Sequence, residues 1–298
     1  MAGWFNPLFG DEKVDDGFAF AKELGYESLD LGLDGKYWCG YIEKGIIDEF
    51  YTRDIPALLE YYKPYKDAAE KYGIAFGQAH APFPLHLEGN DEINAHLITV
   101  VEKCAAICEY LGCPALVVHP WVCHDKDRER EVNLDMYRRM IPIGKKYKSV
   151  KLCLENIYDR YGGTPMSGCC CDASEAVWYI DTLNGEAGDD VFGFCFDLGH
   201  ATVTRRNIRA DIRILGNRIT VLHLHETDAD NDQHYAPFTQ RKTDWDGLVA
   251  GLRDINYRGS INFETCASVM KYPKELIPSM LRYIADVGKY IRKRLFEE

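Results

Sequence analysis

Apolar and polar positions along this chain follow two alternating periods. Short apolar runs fall at 26–33, 74–80, 115–119, 150–155, 191–197, 219–225 and 260–264, with a weaker one at 4–9. Between them lie stretches with helical spacing, at 55–71, 92–111, 129–148, 174–183, 245–255 and 274–295. Alternation of this kind predicts parallel strands joined by crossover helices. Glycine punctuates several junctions, in Leu24-Gly25-Tyr26, Tyr72-Gly73-Ile74 and Leu111-Gly112-Cys113. A glycine just past a helix is the residue that most readily turns left-handed and closes it.

Eight such units predict a closed (β/α)8 TIM barrel, built as a single domain over residues 1–298. The architecture needs roughly 250 residues, so the length suits it. An open doubly wound sheet would want a glycine-rich turn after its first strand, and Phe9-Gly10-Asp11-Glu12 does not supply one.

The charged residues of the strands share a phase. Leu152 and Leu154 lie on one face of their run, Cys153 and Glu155 on the other. Phe192, Phe194 and Phe196 oppose Gly193, Cys195 and Asp197. Leu222 and Leu224 oppose His223 and His225, and Ile261 and Phe263 oppose Asn262 and Glu264. His80 and His119 close their own runs in the same way. The bulky residues would face the helices and the polar ones the barrel axis, at the strand ends where barrel active sites form. Any one of these residues alone would read as a satisfied core group. Several carboxylates converging on one axis would repel each other, and a buried charge is costly without a partner. A divalent cation resolves that cost. Mixed carboxylate and imidazole donors suit Mn²⁺, Zn²⁺ or Co²⁺ better than Ca²⁺.

Composition narrows the partners. The net charge is −12, from 47 acidic and 35 basic residues, which works against a nucleic-acid partner. No apolar run approaches the ~20 residues that span a bilayer, so no membrane segment is expected. The opening MAGWFNPLFGDEKVDD lacks the basic region and apolar core of a secretory signal. Of the eleven cysteines, Cys153 and Cys195 sit in strand-like runs, and Cys104 and Cys108 share a helical face. They read as buried thiols of a reducing, cytoplasmic compartment. Cys169-Cys170-Cys171 lacks the two-residue gap of a zinc ribbon and reads as a loop feature.

The motifs Ala79-His80-Ala81-Pro82, Val118-His119-Pro120, Leu154-Glu155-Asn156, Phe196-Asp197-Leu198-Gly199-His200, His223-Leu224-His225-Glu226, Asp232-Gln233-His234 and Phe263-Glu264-Thr265 run in order through most of the chain. In them the chain resembles the xylose isomerase-like TIM barrel superfamily, which holds sugar (phosphate) isomerases and epimerases and is related to endonuclease IV. The resemblance to the epimerase branch implies one divalent metal ion on Glu155, Asp197, His223 and Glu264. It also implies that Glu155 and Glu264 are catalytic, exchanging protons with the substrate carbon α to a carbonyl through an enediolate. The resemblance to endonuclease IV adds His80, His119, His200, Asp232 and His234 as further metal ligands, so more than one ion is allowed. His200 and His225 are also candidates to hydrogen-bond substrate oxygens. Arg205 and Arg206 are candidates for a substrate phosphate.

Acidic mouth loops, such as Asp228-Ala229-Asp230-Asn231-Asp232, favour a small sugar or sugar phosphate over a DNA duplex. The expected function is therefore a metal-dependent isomerase or epimerase. The alternatives are an endonuclease IV-like abasic-site nuclease and a keto-polyol (inosose-type) dehydratase. Barrels of the epimerase branch imply a homodimer or homotetramer.

Overall fold

The computed structural model describes residues 8–297. It forms strands β1 (Ser28–Gly32), β2 (Ala75–His80), β3 (Ala115–Val118), β4 (Lys151–Glu155), β5 (Tyr158–Tyr161), β6 (Thr164–Ser167), β7 (Phe192–Asp197) and β8 (Ile219–His223). Six are parallel and hydrogen-bonded in the order β1-β2-β3-β4-β7-β8. Crossover helices such as Ile55–Tyr72, Asp91–Leu111, Lys126–Lys146 and Ala173–Ala187 join them. The fold is a TIM barrel.

Local sequence explains the joints. Asp54, Asn90, Asp125 and Asp172 cap the N-termini of those four helices through side-chain oxygens that accept backbone N–H groups. Gly25, Gly73 and Gly112 take φ of 89°, 62° and 69° just past their helices, as the turn signals require.

The alternation of strand side chains sorts two cores. Leu152, Leu154, Phe192, Phe194, Phe196, Leu222 and Leu224 join the main core between sheet and helices. Ala115, Val117, Cys153, Cys195 and Val221 form a separate small cluster inside the barrel. The register places Glu155 beside Cys195, and Asp197 beside His223. The strand ends therefore stand level, with their polar residues above an apolar floor.

Three details differ from the pattern reading. Of the weak strand at 4–9, residues 4–7 lie outside the described residues, and Leu8 and Phe9 are helical. The run at 260–264 is not a full strand. It is held by one parallel bridge, Leu224 to Phe263, with Leu224 N–H donating to Asn262 O and Glu264 N–H to Leu224 O, both at 3.0 Å. This still adds a wall segment beyond β8. Finally, β5 and β6 form an antiparallel hairpin outside the barrel sheet. Its two-residue loop is Gly162-Gly163, with φ of 55° and 84°, the positive values that a tight hairpin turn demands.

The Cys169–Cys171 run lies in the loop after β6, with Cys169 Sγ 3.7 Å from Cys170 Sγ. No helix among the described residues is long and apolar enough to cross a membrane.

Candidate metal centre

The barrel delivers the polar strand ends to one place. His80 ends β2, His119 follows β3, and Glu155 ends β4. Asp197 ends β7 and caps the helix Leu198–Val203, accepting from His200 N–H at 2.6 Å, which fixes His200 beside it. His223 ends β8 and His225 follows two residues on. Glu264 ends the bridged segment. A bridge between Glu226 and Tyr235 folds back the intervening loop, bringing in Asp232 and His234. Glu226, buried, anchors that loop by accepting from Thr243 N–H and Trp245 Nε1–H, at 2.9 and 3.0 Å.

Glu155 is the hub. Its Oε1 lies 3.0 Å from His223 Nδ1 and 3.7 Å from His200 Nδ1. Its Oε2 lies 3.0 Å from His119 Nε2 and 3.7 Å from His80 Nε2. His223 Nδ1 is also 3.4 Å from Glu264 Oε2 and 4.0 Å from Asp197 Oδ2. This nitrogen therefore lies within 4.0 Å of all three carboxylates of the expected four-residue set. His225 Nε2 lies 3.2 Å from Asp197 Oδ2 and 3.5 Å from Asp232 Oδ1. Asp232 Oδ2 is shared by His200 Nε2 at 3.2 Å and His234 Nε2 at 2.9 Å.

These donors fall into adjoining groups: His80, His119 and Glu155; Glu155, Asp197 and His200; Glu155, His223 and the floor thiol Cys195; Asp197, His225 and Glu264; and His225, Asp232 and His234. In each, one donor atom per residue lies within 4.8 Å of the others. The ring orientations suit a cation. His80 Nδ1 is 2.8 Å from Ala81 O, an acceptor, so this nitrogen carries the proton. In the neutral ring that leaves the Nε2 lone pair facing His119 Nε2 at 3.0 Å. His200 Nδ1 likewise meets Asn156 O at 2.8 Å, leaving Nε2 for the cluster. His225 Nδ1 and Asp232 Oδ1 are buried without a hydrogen-bond partner among the described residues. Carboxylates and imidazoles converging in this way fit one or more divalent ions of the transition series.

Without a cation the cluster balances its own charge. Burial pushes the Glu155 carboxyl up, but His223 and His119 hold it well below the usual carboxylate range. Asp197 is lowered against burial by His200 and His225. Asp232 is held well down by His200 and His234. The counterpart appears in the imidazoles. Burial disfavours charge on His80, yet the Glu155 hydrogen bond and the charges of Asp34 and Glu155 raise it to about 9. His234 rises to about 9 against burial through Glu264 and Asp232. His200 and His223 are raised as well, whereas burial lowers His119.

The arginines behave differently. Arg205 pairs with Asp230 at 2.7 Å. Arg206 is bound to Asp211 at 2.8 Å and to Asp172 at 3.2 Å. Both guanidinium groups are thus occupied by carboxylates rather than joining the histidine cluster.

Aromatic rings near the strand ends flank the cluster, where the sequence offers them as apolar walls. Phe83 packs on His119 with ring centroids 4.5 Å apart, and Tyr158 of β5 packs on His200 at 5.2 Å. The hairpin is tied across the mouth by Asp159 to His124 at 3.1 Å and by Arg160 to Asp230 O and Asn231 Oδ1. Asp30, buried beneath the cluster, is the neighbour that the strand pattern left unmarked. Its signal was present, since Leu29 and Leu31 flank it in the phase that aims Asp30 at the axis.

The fold and the cluster together define a TIM barrel with a polar centre of metal-ligand type at the C-terminal mouth. The chain belongs to the xylose isomerase-like TIM barrel family, whose model matches residues 18–287. Among solved structures it is similar to a D-tagatose 3-epimerase-like protein, with TM-score 0.67 and 16% identity over 92% of this chain and 91% of that one. The D-allulose 3-epimerase of Methylomonas sp. in complex with D-allulose gives 0.67 and 16% over 96% and 92%. The 3-keto-D-glucoside 4-epimerase YcjR of E. coli gives 0.66 and 16% over 92% and 95%. These likenesses are of fold. By sequence, the uncharacterized protein y4fM of Sinorhizobium fredii is 26% identical over 156 residues, 52% of this chain and about half of the relative, at 48%.

Proposed function

We propose that this protein is a metal-dependent sugar isomerase or epimerase that moves a proton α to a carbonyl. The observation that carries the reading is the contact of one nitrogen, His223 Nδ1, with Glu155 Oε1 at 3.0 Å and Glu264 Oε2 at 3.4 Å, in a centre also joined by Asp197. Glu155, Asp197, His223 and Glu264 would hold the ion, with His225 the second imidazole of the same strand end, next to Asp197. A bound divalent ion would supply Lewis acidity that favours the enediolate over the ketose. Glu264, partly exposed where Glu155 is buried, would exchange the proton on the open face. Glu155 would serve the opposite face. Phe83 and Tyr158 provide apolar walls. The pairing of Arg205 and Arg206 with carboxylates favours a substrate without a phosphate. Three of the structural relatives are named as epimerases of free or keto sugars, which supports this class.

The test is a panel of ketoses and keto-glycosides with Mn²⁺, Zn²⁺ or Co²⁺ in D₂O. Epimer formation with deuterium at the carbon α to the carbonyl supports the proposal. Turnover of none of them, with metal bound, overturns it.

One observation favours a second reading. The adjoining groups of His80, His119, His200, Asp232 and His234 offer room for more than one ion, as an abasic-site nuclease would need. The net charge of −12 opposes it, because duplex binding draws its affinity from phosphate neutralisation.

A further inference from the structure

Beneath the mouth cluster lies a second polar layer that the proposed reaction does not use. Asp30 of β1, Gln78 of β2 and Asn262 of the bridged segment are all buried there. Gln78 Nε2 and Asn262 Nδ2 both donate to Asp30 Oδ2, at 3.0 and 2.9 Å. The same oxygen faces His223 Nε2 at 3.6 Å. Across the ring, His223 Nδ1 meets Glu155 Oε1 at 3.0 Å. A line of polar groups thus runs from Asp30 past His223 to Glu155, its looser step the 3.6 Å between Asp30 and His223.

This layer is costly. Asp30 Oδ1 and His223 Nε2 have no hydrogen-bond partner among the described residues. Apolar side chains fill the adjoining interior without such a penalty, as Val117, Cys153 and Val221 do. Packing alone does not select between the two faces of an imidazole, because a ring flip barely changes its shape. A carboxylate at one edge does select, since it can only accept and therefore favours an N–H on that side.

We propose that Asp30, clamped by Gln78 and Asn262, is a positioning residue that fixes the orientation of the His223 ring with Nε2–H toward the floor, and through it the Glu155 carboxylate. The proposal rests on the metal-site reading of Glu155 above. It requires no contact between Asp30 and substrate.

The experiment uses the full chain and Zn²⁺ alone, titrated against a competing chelator, with ¹⁵N-resolved imidazole spectra of the metal-free protein. Asp30→Asn keeps the shape and removes the charge. It should weaken Zn²⁺ binding roughly 10–100-fold, as loss of a partner behind a ligand does. It should also move the His223 nitrogen resonances. In a His223→Gln background the same substitution should cost no further affinity, because its effect passes through that ring. Wild-type affinity with unmoved resonances, or losses that simply add, would overturn the proposal. Gln78→Met removes one clamp donor at similar volume and should act in the same direction, which covers the case in which Asp30→Asn does not fold. If wild type binds no Zn²⁺, the metal-site reading fails by itself. The His223 spectra then decide for Asp30: a shift on substitution supports it, and identical spectra reject it.

Discussion

The His225 imidazole occupies the volume that a side chain on Gly199 would need. A Cβ built on Gly199 would overlap His225 Cε1 and Nε2. Gly199 sits in the first turn of the helix after β7, two residues past Asp197, so the absence of a side chain there lets the ring approach Asp197 Oδ2 at 3.2 Å. Gly199→Ala should therefore displace His225 while leaving the barrel folded. Overpacking of this kind typically costs ~1–3 kcal/mol of stability. Divalent metal affinity should fall by roughly tenfold or more. Metal analysis beside a thermal melt checks both, and unchanged affinity would show that His225 does not help to hold the ion.

Glu155 and Glu264 should respond differently to removal of charge. Glu155 is shared by three of the donor groups and is buried, whereas Glu264 is partly exposed. Glu155→Gln should lose metal as well as turnover. Glu264→Gln should keep most of its metal and lose turnover by at least ~100-fold, the lower range for a positioned acid or base. Occupancy measured alongside rate separates the two. Full turnover in a metal-loaded Glu264→Gln protein would remove Glu264 from the chemistry.

Metal uptake should release protons. His80 and His234 stand at about 9 in the metal-free cluster, burial lowering them and their carboxylate partners raising them further. Near neutral pH both rings are charged, and an ion that takes Glu155 and Glu264 removes the carboxylates holding those protons. Zn²⁺ affinity should accordingly rise with pH until it passes about 9. The sign for stability is opposite. These raised groups stabilise the metal-free fold fully below the ordinary histidine value, about 6.5, and the contribution is lost as pH climbs through about 9. Calorimetry of Zn²⁺ binding in buffers of different ionisation enthalpy measures the protons, and heats independent of buffer would contradict the charge state described.

Abasic DNA should not be cleaved efficiently at physiological salt. Acidic residues outnumber basic ones, 47 to 35, and the mouth arginines Arg160 and Arg205 are engaged with the 230–231 loop. A nicking assay on an abasic duplex with Zn²⁺ or Mn²⁺ settles this. Rapid cleavage would favour the nuclease reading over the sugar enzyme.

Much of this protein was legible from sequence because strand periodicity is local. The inward phase of Glu155, Asp197, His223 and Glu264 follows from alternation of side chains, and the helix ends at Gly25, Gly73 and Gly112 from the cost of a left-handed turn. The hairpin of β5 and β6 was not read from the sequence, because its short polar strands offer no apolar face to mark them around the Gly162-Gly163 turn. Other features belong only to the tertiary structure. Asp30 and Asn262 stand 232 residues apart and meet because the barrel wall curls back toward β1. Arg205 and Arg206 read alike in the chain as phosphate binders, yet Arg205 meets Asp230 and Arg206 meets Asp172, 25 and 34 residues away, beside the nearer Asp211. Alternation along a strand states which way a residue points, while the distance between residues on different strands is set by register and curvature, which no local pattern encodes.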